Sequence, residues 1–276
     1  MELNKIYNED CLEGMKKIPD KSVDMILTSP PYDNLRDYKG FNFDFYNIAK
    51  EMYRIVKDGG VVVWVVGDAT FNGSESGTSF KQALHFMELG FKLHDTMIYE
   101  KNTSSFPSRR DSKRYTQIFE YMFVFSKGKI KTGNLICDKE NKWAGHSNWG
   151  ANTQRGKDGV LKESKKIKPV PKKSPRNNIW RYVVGGGFTT SNKISYKHPA
   201  TFPEKLAKDH ILTWSNEGDT VLDPFMGSGT TAVACIDTNR NYLGFEISEE
   251  YCEISQERIN DHVKDKQIDL FEMLDN

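Results

Sequence analysis

Thr28-Ser29-Pro30-Pro31-Tyr32 gathers a hydroxyl, a pair of rigid carbonyl-bearing prolines and an aromatic ring into one short stretch. Pro30 and Pro31 have fixed φ and no N–H, and each restricts the residue before it. What results is a stiff row of hydrogen-bond acceptors, the Ser29 hydroxyl and a carbonyl or two, beside a ring on which a flat ligand can stack. The preceding Ser22-Val23-Asp24-Met25-Ile26-Leu27 is mostly apolar and reads as a buried strand. The motif therefore lies at the carboxyl end of a strand, where open α/β sheets bind ligands. Taken alone, the same residues also fit a Pro-Pro turn that ends in a surface tyrosine.

A second group lies far along the chain. Asp223-Pro224-Phe225-Met226-Gly227-Ser228-Gly229-Thr230-Thr231 follows the strand-like Thr220-Val221-Leu222 and precedes an apolar helical stretch, Ala232 to Ile236. Gly227 and Gly229 let backbone approach a ligand, and the helix offers its N-terminal amides. The next strand, Tyr242 to Phe245, ends at Glu246, 23 residues after Asp223. A carboxylate there can accept hydrogen bonds from ribose hydroxyls. Gly227 to Ala232 also satisfies the loose G-x-G-x-x-A pattern, so a dinucleotide competes for this site. No lysine follows the glycines, which excludes a P-loop. A carboxylate just before the turn, Asp223, suits a ligand with a positive ammonium group better than a pyrophosphate.

Composition narrows the classes. With 276 residues, 37% hydrophobic and 28% charged, the chain fits one large domain, or one domain with a sizeable insertion. The longest apolar run, Val61 to Val66, suits a central strand and is too short to cross a bilayer. Met1 to Lys5 lacks the layout of a signal peptide. Cys11, Cys137, Cys235 and Cys252 are scattered, which predicts free thiols, no metal site and a cytoplasmic protein. The net charge of +1 conceals an asymmetry: residues 101–200 hold 22 Lys+Arg against 6 Asp+Glu. A basic middle inside an acidic frame is the footprint of a polyanion-binding insert. Trp143, Trp149 and Trp180 lie among those basic residues, and stacking with phosphate pairing together hold nucleic acid. Arg109, Arg110, Lys113 and Arg114 form a cluster suited to phosphate, as is Arg176. The bland alternative is a solvated lysine-rich loop.

Periodicity supplies the frame. Strand signals at Asn4–Asn8, Ser22–Leu27, Val61–Gly67, Phe91–Tyr99, Tyr121–Ser126, Thr220–Leu222 and Tyr242–Phe245 are interspersed with helical spacing. The helical stretches are Cys11–Ile18, Phe45–Val56, Phe80–Leu89, Glu204–Trp214, Ala232–Ile236 and Glu249–Val263. This alternation predicts a mostly parallel sheet covered on both faces. Lys57-Asp58-Gly59-Gly60 reads as a turn with a glycine exit, and Asp33 to Gly40 as a loop over a site. Periodicity fades from Ser126 to Lys197. The tail, Lys264 to Asn276, is expected to fray or to pack through Leu270 and Phe271. His85, His94, His146 and His210 read as surface or packing residues.

In combination these segments resemble the S-adenosylmethionine-dependent DNA amino-methyltransferases of the beta group. The resemblance rests on Asn8-Glu9-Asp10-Cys11-Leu12, Thr28 to Tyr32, the basic insert, His198-Pro199-Ala200-Thr201-Phe202-Pro203 and Asp223 to Thr231, in that order. It spans residues 4 to about 260, nearly the whole chain. It implies a doubly wound, mostly parallel Rossmann-like α/β methyltransferase sheet with an inserted basic target-recognition region. Residues 1–125 would form the catalytic half, 126–197 the insert and 198–276 the cofactor half. The implied cofactor residues are Asp10, Thr28, His198, Phe202, Asp223, Pro224, Phe225, Gly227, Gly229, Thr230 and Glu246, with Asp10 reading the adenine amino group.

Ser29, Pro30, Pro31 and Tyr32 would act on an exocyclic amino nitrogen of a base flipped out of double-stranded DNA. Serine at the first variable motif position leans towards cytosine N4, with adenine N6 as the alternative. A restriction endonuclease is a candidate partner on which the sequence is silent. Rival methyltransferases acting on RNA or glutamine share Pro-Pro-Tyr but place the glycine motif first. An oxidoreductase would leave Thr28 to Tyr32 unexplained, and a DNA-binding module with a dead active site is a third rival. The reading requires residues near 29 and near 227 to meet on neighbouring strand tips.

Overall fold

Runs such as Val61-Val62-Val63-Trp64-Val65-Val66, buried on both faces, set the centre of a sheet. A computed structural model of the chain describes residues 1–31, 43–103, 113–147, 153–163, 168–185, 189, 194 and 203–274. In chain order its elements are β1 (Lys5–Tyr7), α1 (Cys11–Lys16), β2 (Val23–Thr28), α2 (Phe45–Ile55) and β3 (Val56–Val66). The hairpin β4 (Thr70–Phe71) and β5 (Ser74–Glu75) follows, then α3 (Thr78–Glu88), β6 (Lys92–Lys101) and β7 (Phe119–Ser126). Next come the short strands β8 (Lys139–Glu140), β9 (Thr153–Arg155), β10 (Leu161–Glu163) and β11 (Lys173–Ser174). The chain continues with β12 (Ile179–Tyr182), α4 (Glu204–Trp214), β13 (Thr220–Asp223), α5 (Thr230–Asp237), β14 (Asn241–Phe245) and α6 (Glu249–Leu274).

The main sheet has eight strands in the order β1-β14-β13-β2-β3-β7-β6-β12. The first five run parallel to one another. β7 runs against both its neighbours, and β12 is parallel to β6. Side chains alternate between faces: Met25, Leu27 and Val63 pack with α4, α5 and Ile259 of α6. Ile26, Val62 and Trp64 pack on the other face with α1, α2 and α3. The mostly parallel, doubly wound sheet expected from the alternation is what forms. No described helix is long and apolar enough to cross a membrane.

Lys57 to Gly60 is strand rather than turn. The Gly59 N–H donates to the Lys127 carbonyl at 2.6 Å, and Gly60 accepts from the Lys127 N–H at 3.1 Å, so β3 starts at Val56. The cap that a glycine exit would have supplied to α2 comes from elsewhere. The Lys127 ammonium donates to the carbonyls of Tyr53 at 2.5 Å and Val56 at 3.0 Å, a cation at a helix C-terminus. The tail, expected to fray or to pack through Leu270 and Phe271, is helical as far as Leu274, and no glycine or proline interrupts the chain from Glu249 onward.

The chain divides into a larger unit, Met1–Asn134 with Asn178–Asn276, and a smaller one, Leu135–Asn177. The smaller unit is tighter than the insert read from fading periodicity. Ser126 closes β7, and Ile179–Tyr182 returns as an edge strand of the main sheet. Trp180 is therefore not one of the exposed aromatics among lysines. It is buried in the core, with its ring 4.7 Å from His210. Within the smaller unit β8 pairs with β11 and β9 with β10, both antiparallel. Trp143 is exposed there, and Trp149 lies outside the described residues.

Candidate active site

Parallel pairing of β2 with β13 brings the two motifs together, with Met25 opposite Val221 and Ile26 opposite Leu222. At their carboxyl ends the Thr28 hydroxyl donates to Asp223 Oδ1 at 2.7 Å across 195 residues of sequence. The Phe225 N–H donates to the same oxygen at 3.0 Å, and the Thr231 hydroxyl to Oδ2 at 2.6 Å. Asp223 is only 1% exposed. Burial pushes its carboxyl up to about 6, against the pull of its three donors. The expectation of a carboxylate facing a ligand's ammonium group thus gives way to one that faces inward. It locks β2, β13 and the start of α5 together. Thr231, which the sequence reading passed over, is part of that lock.

The neighbouring tips carry the other acidic groups. At the end of β14, Glu246 accepts from the Gly227 N–H through Oε2 and from the Ser248 N–H through Oε1, both at 2.9 Å. Burial raises its pKa, and those two N–H groups oppose the shift. Its own N–H donates to Tyr7 at 3.1 Å, joining the tip of β14 to that of β1. Asn8 adds a bond from Nδ2 to the Glu246 carbonyl at 2.9 Å. Asp10 caps α1, its Oδ1 accepting from the N–H groups of Leu12 at 2.8 Å and Glu13 at 3.2 Å. The order of tips is thus Asp10, Glu246, Asp223, then Thr28 and Ser29. Ser29 and Pro31 are partly exposed, and Pro30 is buried.

The glycine turn has the geometry that its composition demands. Gly227 and Gly229 have φ of +51° and +80°, the left-handed region. A Cβ on Gly229 would also lie 3.2 Å from that of Ser255. Pro224 and Thr230 are buried, whereas Phe225 is partly exposed, its ring 5.6 Å from that of Phe43. Behind the turn stands Arg258, only 1% exposed, which the sequence reading missed. Its Nη1 donates to the Ser228 carbonyl at 2.7 Å, to the Ser228 hydroxyl at 3.1 Å and to Thr230 Oγ1 at 3.0 Å. Its Nη2 pairs with Glu204 at 2.6 Å, so one guanidinium joins the turn, α4 and α6. Sequence offers no signal for it, since Arg258 is one charge among many on an acidic helix.

Tyr32, His198, Phe202, Arg109 and Arg110 lie outside the described residues. Lys113 is exposed. Arg114 pairs with Glu75 at 3.6 Å and donates to the Gly73 carbonyl, which ties it to the β4–β5 hairpin. Arg176 pairs with Asp138 at 2.6 Å inside the smaller unit. His210 is a packing residue: it is fully buried, with Nε2 3.2 Å from Met122 Sδ, and burial pushes its pKa down to about 3. Among the described residues, no group of three or more His, Cys, Asp or Glu could hold a metal ion.

The side chains of the four strand tips offer no cation to a pyrophosphate. Residues 8–10, 28–31, 223–229 and 246–248 include Asp and Glu but neither Lys nor Arg. A mostly parallel sheet with acidic tips and a glycine turn before a helix is the nucleotide-binding class of α/β fold, in which ligands sit beyond the carboxyl ends of the strands.

Comparison with known proteins agrees. A DNA methylase family model (N6_N4_Mtase) matches residues 23–257. The orphan methyltransferase M.BamHII of Bacillus amyloliquefaciens is 55% identical over 248 residues, covering 90% of this chain and 92% of that protein. Among solved structures, the cytosine-N4-specific PvuII DNA methyltransferase has a TM-score of 0.66 at 20% identity, covering 94% of this chain and 90% of that one. The complex of M1.HpyAVI with SAM has a TM-score of 0.60 at 24% identity, covering 93% and 98%. The likeness to these two structures is one of fold. The chain belongs to the N6/N4 family of DNA methylases, and its motif order is that of the beta group: it is a site-specific DNA amino-methyltransferase.

Proposed function

We propose that the protein methylates an exocyclic amino nitrogen of a flipped base in double-stranded DNA, with S-adenosylmethionine as donor and cytosine N4 as the favoured target. The observation that carries the reading is the Thr28–Asp223 hydrogen bond, which sets the Ser29-Pro30 acceptors beside the Gly227–Gly229 turn. Asp10 and Glu246 bind the adenosine, and Phe225 offers its partly exposed ring to the base. The glycines let the chain approach the cofactor closely, with Thr28, Pro224 and Thr230 shaping the turn. His198 and Phe202 complete that side by resemblance. When bound, the cofactor supplies an electrophilic methyl on a sulfonium.

The amino nitrogen of a base is a poor nucleophile, because its lone pair is delocalised into the ring. Ser29 Oγ and the Pro30 carbonyl accept its hydrogens and turn the lone pair out of the ring plane. They also stabilise positive charge where it develops. Pro31 stiffens the acceptors, and Tyr32 stacks on the extruded ring, worth about 1–3 kcal/mol. That gain offsets part of the roughly few kcal/mol needed to unstack the base. Arg109, Arg110, Lys113, Arg114 and Arg176 hold phosphates. For Arg114 and Arg176 the phosphate competes with Glu75 and Asp138. Ser29 supports cytosine by its place in the motif, and a cytoplasmic location goes with this reading.

The test is mass spectrometry of nucleosides from DNA treated with the protein and cofactor. N4-methylcytosine is expected, and Ser29→Ala should lower kcat by about 100-fold without altering the melting temperature. N6-methyladenine would overturn the base assignment alone. Methyl found in RNA or protein, with none in DNA, would overturn the whole reading.

A further inference from the structure

Ser29 stands at one edge of the main sheet, and the opposite edge holds a cavity. β3 and β6 start there and β7 ends there, since Val61 and Lys92 both pair with Ser126. Among the segments that follow α2, α3 and β7 lies a hollow of about 330 Å³. Gly59, in its wall, lies five residues before Trp64, the strand partner of Thr28. At about 3.3 Å per residue, roughly 17 Å of strand separates the hollow from the tips that carry the two motifs. The proposed function makes no use of it.

Its lining is mostly positive charge. Lys92, Lys127, Lys129 and Lys131 stand there with one carboxylate, Asp58, which Lys21 already holds at 2.7 Å. Among the described residues, Lys92, Lys129 and Lys131 form no ion pair, and the Tyr53 hydroxyl has no hydrogen-bond partner. Lys127 is buried, its ammonium engaged by the carbonyls at the end of α2 and 4.6 Å over the ring of Tyr53. It supplies charge rather than a free N–H, and burial lowers its pKa. A buried cation with no carboxylate beside it carries a desolvation cost that a bound anion offsets. Two glycines make room for the lining groups. A Cβ on Gly59 would lie 2.5 Å from Lys131 Cγ, and one on Gly90 would lie 2.9 Å from the Tyr53 hydroxyl.

Ammonium groups and a phenolic O–H are donors, and together they match an anion with many acceptor oxygens. The lining has no aliphatic side chain, and Lys127 covers a face of its one aromatic ring, so neither a base nor an acyl chain has a wall to pack on. The volume lies at the low end for ligand pockets. We infer that the hollow is a binding site for a compact polyphosphate anion, held by Lys92, Lys129, Lys131 and the Tyr53 hydroxyl. The phosphates of a DNA backbone share that chemistry. They are strung along a helix, however, and call for a stripe of cations, whereas these lysines line one concavity.

Isothermal titration calorimetry of the full chain with inorganic triphosphate, at fixed ionic strength and without divalent cations, tests the inference. One site per chain is expected, and filling it should raise the melting temperature. Lys129→Gln and Lys131→Gln should each weaken binding about fivefold, and the double variant more than about tenfold. Tyr53→Phe should weaken it too, a loss that diffuse attraction to lysines would not produce. Lys264→Gln removes an exposed charge from α6 and should change nothing. Methyl transfer to a short duplex should be equal in all these variants, which also shows that they fold. Absence of binding would overturn the inference, as would binding indifferent to the double variant or equally weakened by Lys264→Gln. A short duplex that displaces triphosphate at equal phosphate concentration would overturn the assignment to a free anion.

Discussion

At the tips of β2 and β13, short side chains make every polar contact under cover: Thr28, Asp223 and Thr231 are each 1% exposed or less. In Leu135–Asn177 the strands are two or three residues long, and the ion pairs sit at the surface. Lys162 with Asp158 and Arg176 with Asp138 are held there at 2.8 and 2.6 Å with half-exposed partners. Surface pairs are worth about 0–1 kcal/mol and yield readily to water or another anion. A buried donor stripped of its acceptor costs about 1–3 kcal/mol. The first region is therefore built to hold one geometry, and the second to exchange partners. Under the proposed function, that division would suit a methyl transfer that needs atoms in line and a polyanion whose phosphates are met in turn.

Removing the acceptor at the tips is the harshest test of the division. Asp223→Ala leaves two buried hydroxyls and an N–H unpaired, and should cost roughly 3 kcal/mol of unfolding free energy. Methyl transfer should fall to background, read by urea denaturation and a radiolabel assay. Wild-type stability and turnover would mean that β2 and β13 hold their register without this network.

The acid side of the stability curve sharpens the contrast. Asp223, raised to about 6, contributes stability that is fully present below its ordinary carboxylate range and is lost as the pH rises through about 6. His210, depressed from 6.5 to about 3, works the other way. Its contribution is present above about 6.5 and drains away as the pH falls, because only the unfolded imidazole takes up a proton. His210→Leu should therefore flatten the loss between pH 7 and 4 by up to roughly 3 kcal/mol, measured by urea unfolding at each pH. An unchanged slope would show that the buried imidazole is not what makes the fold acid-sensitive.

The mildest change belongs to the smaller unit. Arg176→Ala should shift stability by less than about 1 kcal/mol and lower the salt slope of DNA affinity by about 1. Fluorescence anisotropy at several salt concentrations reads that slope. If it does not move, Arg176 serves Asp138 alone.

The sequence revealed adjacency better than orientation. The resemblance requires Thr28 and Gly227 to meet on neighbouring tips, as the pairing of β2 with β13 has them, and Glu204–Trp214 forms α4 with the bounds its periodicity predicts. Residue types do not say which way a carboxylate points, and Asp223, at a place that suits a ligand's ammonium group, faces Thr28 and Thr231 instead. Arg258 was invisible because its partners lie in the glycine turn and in α4, remote in the chain. Ile179-Trp180-Arg181-Tyr182 did carry a signal, alternating exposed and buried. It was obscured by the basic, aperiodic residues before it.

The strand order also sets a timetable for synthesis. Among the described residues β1 has β14 as its sole neighbour in the sheet, and β14 is complete only when Phe245 has been made. At about 5–20 residues per second, the N-terminal strand waits on the order of ten to fifty seconds for its partner. During that wait β2 has β3 on one side and an open edge on the other, where β13 will later dock. A nascent chain of this enzyme thus carries bare, apolar strand edges until its last strand is made.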